Sequence, residues 1–314
     1  MIRAGCFFLF LFLASTGARS DILVSSDSID SFRTISNGWL SSVVGTESKF
    51  IESPVAVTAR NNIVYFIDDR LMGLYAYDRV AQSARSLKSV YAKLTRNPAR
   101  LFLSEDNELF VIDSFGSQVL RYDLMGNFIA RYSNPLNLNS PVGMCINPIN
   151  QNVLIADSFY SHLIEFSPSG QAIELHGFKG AGETPAGNHI IGMACGEKSV
   201  FIVSKFSSDI NVFSYSGKFL YKISRPEARN PTAIAVDQFD RVYISDDFDD
   251  QIKIYDDSGL TSRFGGSGSD ASHFRSIKDL WIDGDELYVA DNMNRRIQVF
   301  LINPIVSKSD SNAN

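Results

Sequence analysis

Histidine, cysteine and long apolar runs are scarce in this chain, and each scarcity disfavours a class of function. The 314 residues include four histidines and three cysteines, which disfavours a zinc site because zinc needs three or four nitrogen or sulfur ligands in one place. The motifs of metalloproteases, P-loop enzymes, serine hydrolases and dinucleotide-binding enzymes are missing. Lysine and arginine number 29 against 35 Asp and Glu, a formal charge of −6, which disfavours nucleic-acid binding.

The one long apolar run lies near the first residue. It extends from Cys6 to Ala14, behind Arg3 and ahead of small residues, which is typical of a secretory signal peptide; a membrane anchor is the alternative. We expect residues 1–20 to be removed, by cleavage after Ala18 or Ser20. Loss of two arginines changes the charge from −6 to −8.

The rest of the sequence predicts an exported protein without a membrane span, because no second run approaches transmembrane length. The destination is the periplasm or the extracellular space. The sequence has no Asn-x-Ser/Thr acceptor for glycosylation, apart from the excluded Asn-Pro-Thr at 230–232, and this favours a bacterial source.

A pattern of about 45 residues recurs six times. In each copy a short apolar strand ends on Asp or Ser, at intervals of 45, 44, 47, 42 and 45 residues: Asp68, Asp113, Asp157, Ser204, Asp246 and Asp291. An aromatic residue follows nine positions later in every copy: Tyr77, Tyr122, Phe166, Phe213, Tyr255 and Phe300. Turn glycines follow at Gly126, Gly170, Gly217 and Gly259. The repeat predicts an all-β, six-bladed β-propeller of four-stranded blades.

These motifs resemble the NHL-repeat family of β-propellers. The resemblance is clearest in PTAIAVDQFDRVYISDDFDDQIKIYDDSG (231–259), DELYVADNMNRRIQVF (285–300) and the Gly-rich linker at 263–274. Two copies depart from the pattern, with Ala81 at the turn glycine and Ser204 at the repeated Asp. The family includes protein- and RNA-binding scaffolds, sensor ectodomains and lyases, so the resemblance implies the fold more than the function.

The repeat also sets the domain boundaries. The propeller covers residues 38–303, after an N-terminal extension at 21–37 and before a polar tail at 304–314. Pro304 stands where the last turn glycine is expected, so the sixth blade lacks its outer strand. Residues 39–44 match the outer strand of the fifth blade, and we expect them to complete the sixth blade and close the ring.

Two kinds of repeat residue have structural interpretations. The repeated carboxylates, Asp68, Asp113, Asp157, Asp246 and Asp291, are expected to accept backbone N–H groups of the next turn.

Cys145 and Cys195 fall in equivalent strands of neighbouring blades. Export permits a disulfide, but facing sheets lie about 10 Å apart, so we expect two reduced cysteines and leave the disulfide as the alternative.

The candidate binding site comes from aligning the segments that lead into each innermost strand. Polar and cationic residues recur there, and two charged residues replace the small residue expected just inside the strand in the second and sixth blades. Together they predict a mouth on the propeller axis formed by Glu52, Arg96, Arg100, Asn188, His189, Arg229, Arg275 and Asp279. Arginine favours planar anions, which indicates an anionic ligand; solvated loop arginines are the alternative.

Two classes of function remain. We expect a monomeric, non-catalytic module that binds a protein or an exported, anionic polysaccharide at this mouth, without a cofactor. The alternative is a propeller lyase or lactonase, with a divalent cation. Asp247, Asp249 and Asp250 are weak candidates for calcium, although their spacing lacks the pattern of a calcium loop.

Overall fold

The computed structural model of the chain describes residues 34–36, 51–95, 99–176 and 189–302. Within these ranges twenty-four strands form six four-stranded antiparallel sheets, and the only helix is a single turn, α1 (Lys88–Tyr91). Each sheet is one blade of a six-bladed β-propeller, as the repeat predicted. None of the described helical residues form a helix long and apolar enough to cross a membrane.

Blades 1 to 5 each use four consecutive strands, numbered outward from the axis. Blade 6 uses three consecutive strands and takes its outer strand from the N-terminal segment. Blades 1 and 2 contain β2 (Pro54–Arg60), β3 (Ile63–Asp68), β4 (Gly73–Asp78), β5 (Ser83–Ser86), β6 (Ala99–Leu103), β7 (Glu108–Asp113), β8 (Gln118–Asp123) and β9 (Phe128–Tyr132). Blades 3 and 4 contain β10 (Pro141–Ile146), β11 (Val153–Asp157), β12 (His162–Phe166), β13 (Ala172–His176), β14 (Ile190–Cys195), β15 (Ser199–Ser204), β16 (Asp209–Ser214) and β17 (Phe219–Ser224). Blades 5 and 6 contain β18 (Pro231–Val236), β19 (Val242–Asp246), β20 (Gln251–Asp256), β21 (Gly259–Gly265), β22 (Ile277–Asp283), β23 (Glu286–Asp291), β24 (Arg296–Leu301) and β1 (Thr34–Ser36).

Burial follows the position of a strand within its blade. The second strands are buried along nearly their whole length, as in β11 and β15, because blades stack on both of their faces. The outermost strands β5 and β13 are mostly exposed. The six repeat aromatics are all buried, none above 4% exposure, so each fills the space between neighbouring blades. The innermost strand of blade 6, β22, packs beside that of blade 1, β2, so the first and last blades are neighbours and the ring is closed.

The outer strand of blade 6 comes from the N-terminal segment, as predicted, but its bounds differ. Thr34–Ser36 pairs antiparallel with β24, with Ile35 opposite Ile297. The predicted segment 39–44 lies outside the described residues. A ladder is held by backbone hydrogen bonds that most sequences can supply, so the resemblance of 39–44 to another outer strand did not determine which segment pairs.

The expectation of two reduced cysteines is wrong for this structure. Cys145 and Cys195 form a disulfide with their Cα atoms 5.6 Å apart. The 10 Å sheet spacing behind the expectation does not hold at the axis, where radially arranged blades converge. Gly143 shows the same crowding: a Cβ added there would lie 2.7 Å from the backbone nitrogen of Met193 in the next blade.

Candidate functional site

The six innermost strands surround an axial cavity of about 880 Å³. Its walls come from β6, β10, β14, β18 and β22, from Arg60 at the end of β2, and from the loops that connect the innermost strands to the next ones. We call the side with those loops the lower face. The upper face carries the loops that lead into the innermost strands and the loops between second and third strands. The axial cavity therefore opens on the lower face, opposite the mouth considered in the sequence.

Arg100 and Asp279 form the inner end of the axial cavity. The Nη1 atom of Arg100 in blade 2 donates to Oδ1 of Asp279 in blade 6 at 3.1 Å. Its Nη2 atom donates to the carbonyl oxygens of Ile191 at 3.0 Å and Thr232 at 2.9 Å, in blades 4 and 5. One side chain thus crosses the axis and ties together four blades.

Asp279 extends this connection to a fifth blade. Its Oδ2 atom accepts a hydrogen bond from the backbone N–H of Val57 in blade 1, at 3.0 Å. Burial raises the pKa of Asp279 to about 6, although the Arg100 guanidinium and the Val57 hydrogen bond act in the opposite direction. The carboxyl group therefore titrates close to neutrality.

On the upper face, the repeated carboxylates hold two loops of each blade together. Asp68 accepts the backbone N–H groups of Glu52 at 2.7 Å and Ser53 at 2.9 Å, and that of Leu71 at 2.9 Å. Equivalent bonds connect Asp157 to residues 139, 140 and 160, and Asp246 to residues 229, 230 and 248. Asp113 and Asp291 bind the entering loops at Thr95 and Arg275.

Blade 4 has Ser204 instead of Asp, and there an arginine connects the loop after β15 to the loop that leads into blade 5. Arg225 is 1% exposed. It donates to the carbonyl oxygens of Ala228 at 2.8 Å and Ser204 at 2.6 Å, and also to that of Ser207. Burial lowers the pKa of Arg225. These bonds join blades 4 and 5, whereas each repeated carboxylate ties loops of a single blade.

The predicted site residues are split between the axis and the upper face. Arg96 and Asn188 lie outside the described residues. Arg100 and Asp279 lie on the axis, whereas Glu52, His189, Arg229 and Arg275 lie on upper-face loops. None of these four lines the axial cavity.

On these loops the side chains engage neighbours at the surface. Buried Glu52 faces Arg295 of blade 6, with Oε2 and Nη1 3.4 Å apart. The Arg229 guanidinium lies 4.6 Å from the centre of the Phe248 ring. Arg275 is exposed. Glu52 and Arg229 thus each have a neighbouring side chain on the upper face.

The loops between second and third strands share a feature not identified in the sequence. The second residue after the repeated Asp or Ser is apolar and 60–75% exposed in five blades: Phe115, Phe159, Phe206, Phe248 and Met293. Blade 1 has Arg70 at this position, with exposed Met72 two residues later. We call this set, Met72 included, the aromatic face. The aligned repeats contain the signal, because apolar residues recur at a position that the fold does not bury.

Two of the three weak calcium candidates, Asp249 and Asp250, have other partners. Lys253, 1% exposed, lies 2.5 Å from Oδ2 of Asp246 and 2.8 Å from Oδ2 of Asp249. Asp250 accepts hydrogen bonds from the Ser276 backbone at 3.1 Å and the Ser267 hydroxyl at 2.6 Å. Within the described ranges, Asp247, Asp249 and Asp250 do not converge as a three-ligand group. Calcium binding there stays a prediction.

One group of three potential metal ligands occurs in the described part of the chain, formed by Glu165, Glu174 and His176. It lies on β12 and β13 of blade 3, toward the outer edge. His176 Nε2 is 2.9 Å from Oε2 of Glu165, and Asn152 donates to Oε1 at 2.6 Å. Burial opposes ionisation of Glu165, but these two partners outweigh it and lower its pKa. Both oxygens of the Glu165 carboxylate therefore have a protein partner without a metal ion. Among the described histidines, none lines the axial cavity.

Comparison with known proteins supports the fold. No protein-family model and no curated protein matches the sequence. Among solved structures, virginiamycin B lyase from Staphylococcus aureus gives a TM-score of 0.59 at 11% identity, over 87% of this chain and 99% of that chain. A streptogramin B lyase gives 0.62 at 10%, over 87% and 97%. An auxiliary nutrient binding protein from Bacteroides thetaiotaomicron gives 0.62 at 12%, over 80% and 69%. Identities this low establish a shared propeller fold and leave the activity open.

Proposed function

We propose that this chain is an exported, NHL-type β-propeller binding module whose aromatic face docks a partner protein. The observation that carries the proposal is the recurrence of an exposed apolar side chain at one position in five blades. Soluble proteins rarely expose large contiguous apolar patches, and such patches mark interaction surfaces. A binding role also suits the fold, since one of the similar structures is an auxiliary nutrient binding protein.

The exposed area is of the right size for an interface. A large apolar side chain offers about 150–250 Å², so the five residues at 60–75% exposure present roughly 500–700 Å². A standard protein interface uses about 800 Å² per partner. The aromatic face supplies most of that area, and the surrounding loops supply a polar rim.

The residues around the aromatic face define the partner's chemistry. Arg229 lies over Phe248 at 4.6 Å, Lys205 lies 5.9 Å from the Phe206 ring centre, and His189 packs edge-on against the same ring. Aromatic and arginine side chains are the commonest interface hot spots. We expect the partner to present apolar side chains flanked by carboxylates. A polysaccharide partner, which the sequence also allowed, is the competing outcome.

Export agrees with the oxidised state of the two cysteines. Disulfides persist outside the reducing cytosol, and the Cys145–Cys195 bond joins two inner strands. With the N-terminal signal pattern, this supports a periplasmic or extracellular location.

Photo-crosslinking in the producing cell tests the proposal. A photoreactive phenylalanine is placed at Phe159 on the aromatic face or at Ile149, which is 92% exposed on the lower face. We expect a discrete protein adduct from position 159 and none from 149. The identified protein is then purified, and its Kd is measured with Phe159→Ser/Phe206→Ser and with the matched control Ile149→Ser. The double variant should bind at least tenfold more weakly, and the control should bind like the wild type.

Two outcomes would contradict the proposal: adducts that contain only polysaccharide, or a partner whose Kd does not respond to the double variant. The enzymatic alternative has no specific support among the described residues. Measuring metal content and hydrolysis of a small lactone by the purified protein distinguishes it directly.

A further inference from the structure

The axial cavity is separate from the aromatic face. Arg100 and Asp279 lie at its inner end, and its rim belongs to loops of the lower face. Its volume of about 880 Å³ falls within the range of small-molecule sites, about 300–1,000 Å³. The docking of a protein on the upper face neither fills the cavity nor accounts for it.

Apolar side chains line part of the axial cavity, between its polar inner end and its polar rim, and are only partly covered by protein. Ile146, Val236 and Ile282 occupy the same position of three innermost strands, and all three remain half-buried. Trp281 donates its Nε1–H to the carbonyl oxygen of Ala59 at 2.9 Å. Phe102 meets the Trp281 ring edge-on, with centroids 5.6 Å apart. This pair forms a fixed aromatic corner against which an apolar group can pack.

The charges at the rim of the axial cavity are predominantly negative. Lining carboxylates at Glu105, Asp106 and Glu197 are exposed. The lining cations are already engaged, since Arg100 pairs with Asp279, and Arg60 lies 3.7 Å from Asp283 and donates to the Ser104 carbonyl. Among the described residues no cation lies within ion-pair distance of Glu105 or Asp106.

Asp240 lies in the same electrostatic environment. Burial raises the pKa of Asp240, repulsion by Glu197 and Asp237 adds to the rise, and the exposed Lys198 beside Glu197 opposes it. Asp240 is attached to the rim, because its Oδ1 accepts the backbone N–H of Glu197 at 3.2 Å. A cation at this rim would therefore be attracted by several carboxylates at once.

We infer that the axial cavity binds a small apolar molecule carrying a cationic group, such as an amine. Its apolar part lies against Phe102, Trp281 and the aliphatic walls, where burial of apolar surface drives binding. Its cation lies at the rim beside Glu105, Asp106 and Glu197. The upper-face mouth considered in the sequence was expected to favour an anion, so the ligand inferred for the axial cavity has the opposite charge.

The test uses three probes that share one alkyl chain and differ in charge: octylamine, octanol and octanoate. The mature chain has two tryptophans, Trp39 and Trp281. In a Trp39→Phe background, the emission of Trp281 reports occupancy of the axial cavity, and calorimetry on the unaltered chain gives the Kd. We expect octylammonium to bind most tightly, octanol less tightly and octanoate least. Added salt should reduce the advantage of the amine.

Charge variants locate the cation. In Glu105→Gln/Asp106→Asn/Glu197→Gln, octylammonium should bind about tenfold more weakly while octanol binding stays unchanged. The matched control, Asp247→Asn/Asp257→Asn/Asp270→Asn, removes three exposed carboxylates that do not line the cavity and should behave like the wild type. Absence of millimolar binding by every probe, equal binding of the three, or an amine affinity that ignores the rim variant overturns the inference. None of these outcomes bears on the aromatic face.

Discussion

Arg100 and Asp279 are 179 residues apart in the chain, yet their side chains meet at 3.1 Å on the propeller axis. The other four blades have small residues at this position: Ala56, Gly143, Gly192 and Ala233. The two exceptions are therefore complementary, because the long cation of blade 2 reaches the short anion of blade 6 through space that small side chains leave open.

Removing one partner of the Arg100–Asp279 pair should lower the stability of the fold more than removing both. Arg100→Ala leaves the buried Asp279 without its cation and should lower the free energy of unfolding by about 3 kcal/mol. Arg100→Ala/Asp279→Ala restores the small residues found in the other blades and should be less destabilised than the single variant. Urea unfolding measures both, with Arg70→Ala, an exposed arginine, as the control. A double variant as unstable as the sum of both single variants would contradict the coupling.

Asp279 predicts a specific pH dependence. Its folded pKa of about 6 exceeds the ordinary value of 3.8, so the folded state binds more protons than the unfolded state between these limits. Its contribution to stability is thus present at low pH and lost as the pH rises from about 4 to about 6. The loss is at most about 3 kcal/mol.

Asp279→Asn resembles the protonated acid and cannot ionise. The free energy of unfolding of the wild type should therefore fall relative to this variant over the same pH range. The difference between the two proteins, measured by urea titration at several pH values, isolates this group from all the others. A difference independent of pH would show that Asp279 does not titrate in this window.

The disulfide predicts both a thiol count and a stability change. The unfolded, unreduced protein should contain no free thiol after signal removal, because Cys145 and Cys195 are bonded. The bond closes a loop of 50 residues, so Cys145→Ala/Cys195→Ala should lower the free energy of unfolding by up to about 4 kcal/mol. The variant should be insensitive to reductant, unlike the wild type. Two titratable thiols in the unfolded wild type would exclude the bond.

Replacing Lys253, for which no ligand role is proposed, should greatly lower the free energy of unfolding. Its ammonium group lies 2.5 Å from Asp246, and the two side chains are 1% and 0% exposed. Burial opposes ionisation of Asp246, but Lys253 and backbone N–H groups keep its pKa below the ordinary value. Lys253→Met leaves that carboxylate unpaired and should cost at least about 3 kcal/mol.

Lys278→Met is the matched control, since Lys278 is exposed and its replacement should change stability by less than about 0.5 kcal/mol. Thermal and urea unfolding of the two variants provide the comparison. Similar stabilities for both would mean that the buried pair contributes little.

Part of this protein was predictable because its signals are local. The strand that ends on Asp157 and the aromatic at Phe166 recur at fixed spacing in every blade, and each repeat folds into the same four strands. The exposed phenylalanines were visible in the same alignment. They went unrecognised because a sequence does not show which apolar side chains remain in water.

The sequence alone determined the number of blades, their strands and the carboxylates that tie loops within a blade, since these depend on contacts between residues close in the chain. Only the tertiary structure decided which N-terminal segment closes the ring, that Cys145 meets Cys195, and that Arg100 reaches Asp279. It also decided that the axial cavity opens on the lower face. Ring closure depends on which segment reaches the outer edge of blade 6. The other three depend on how six distant strands converge on one axis, where the spacing and side-chain reach follow from ring geometry rather than from any single repeat.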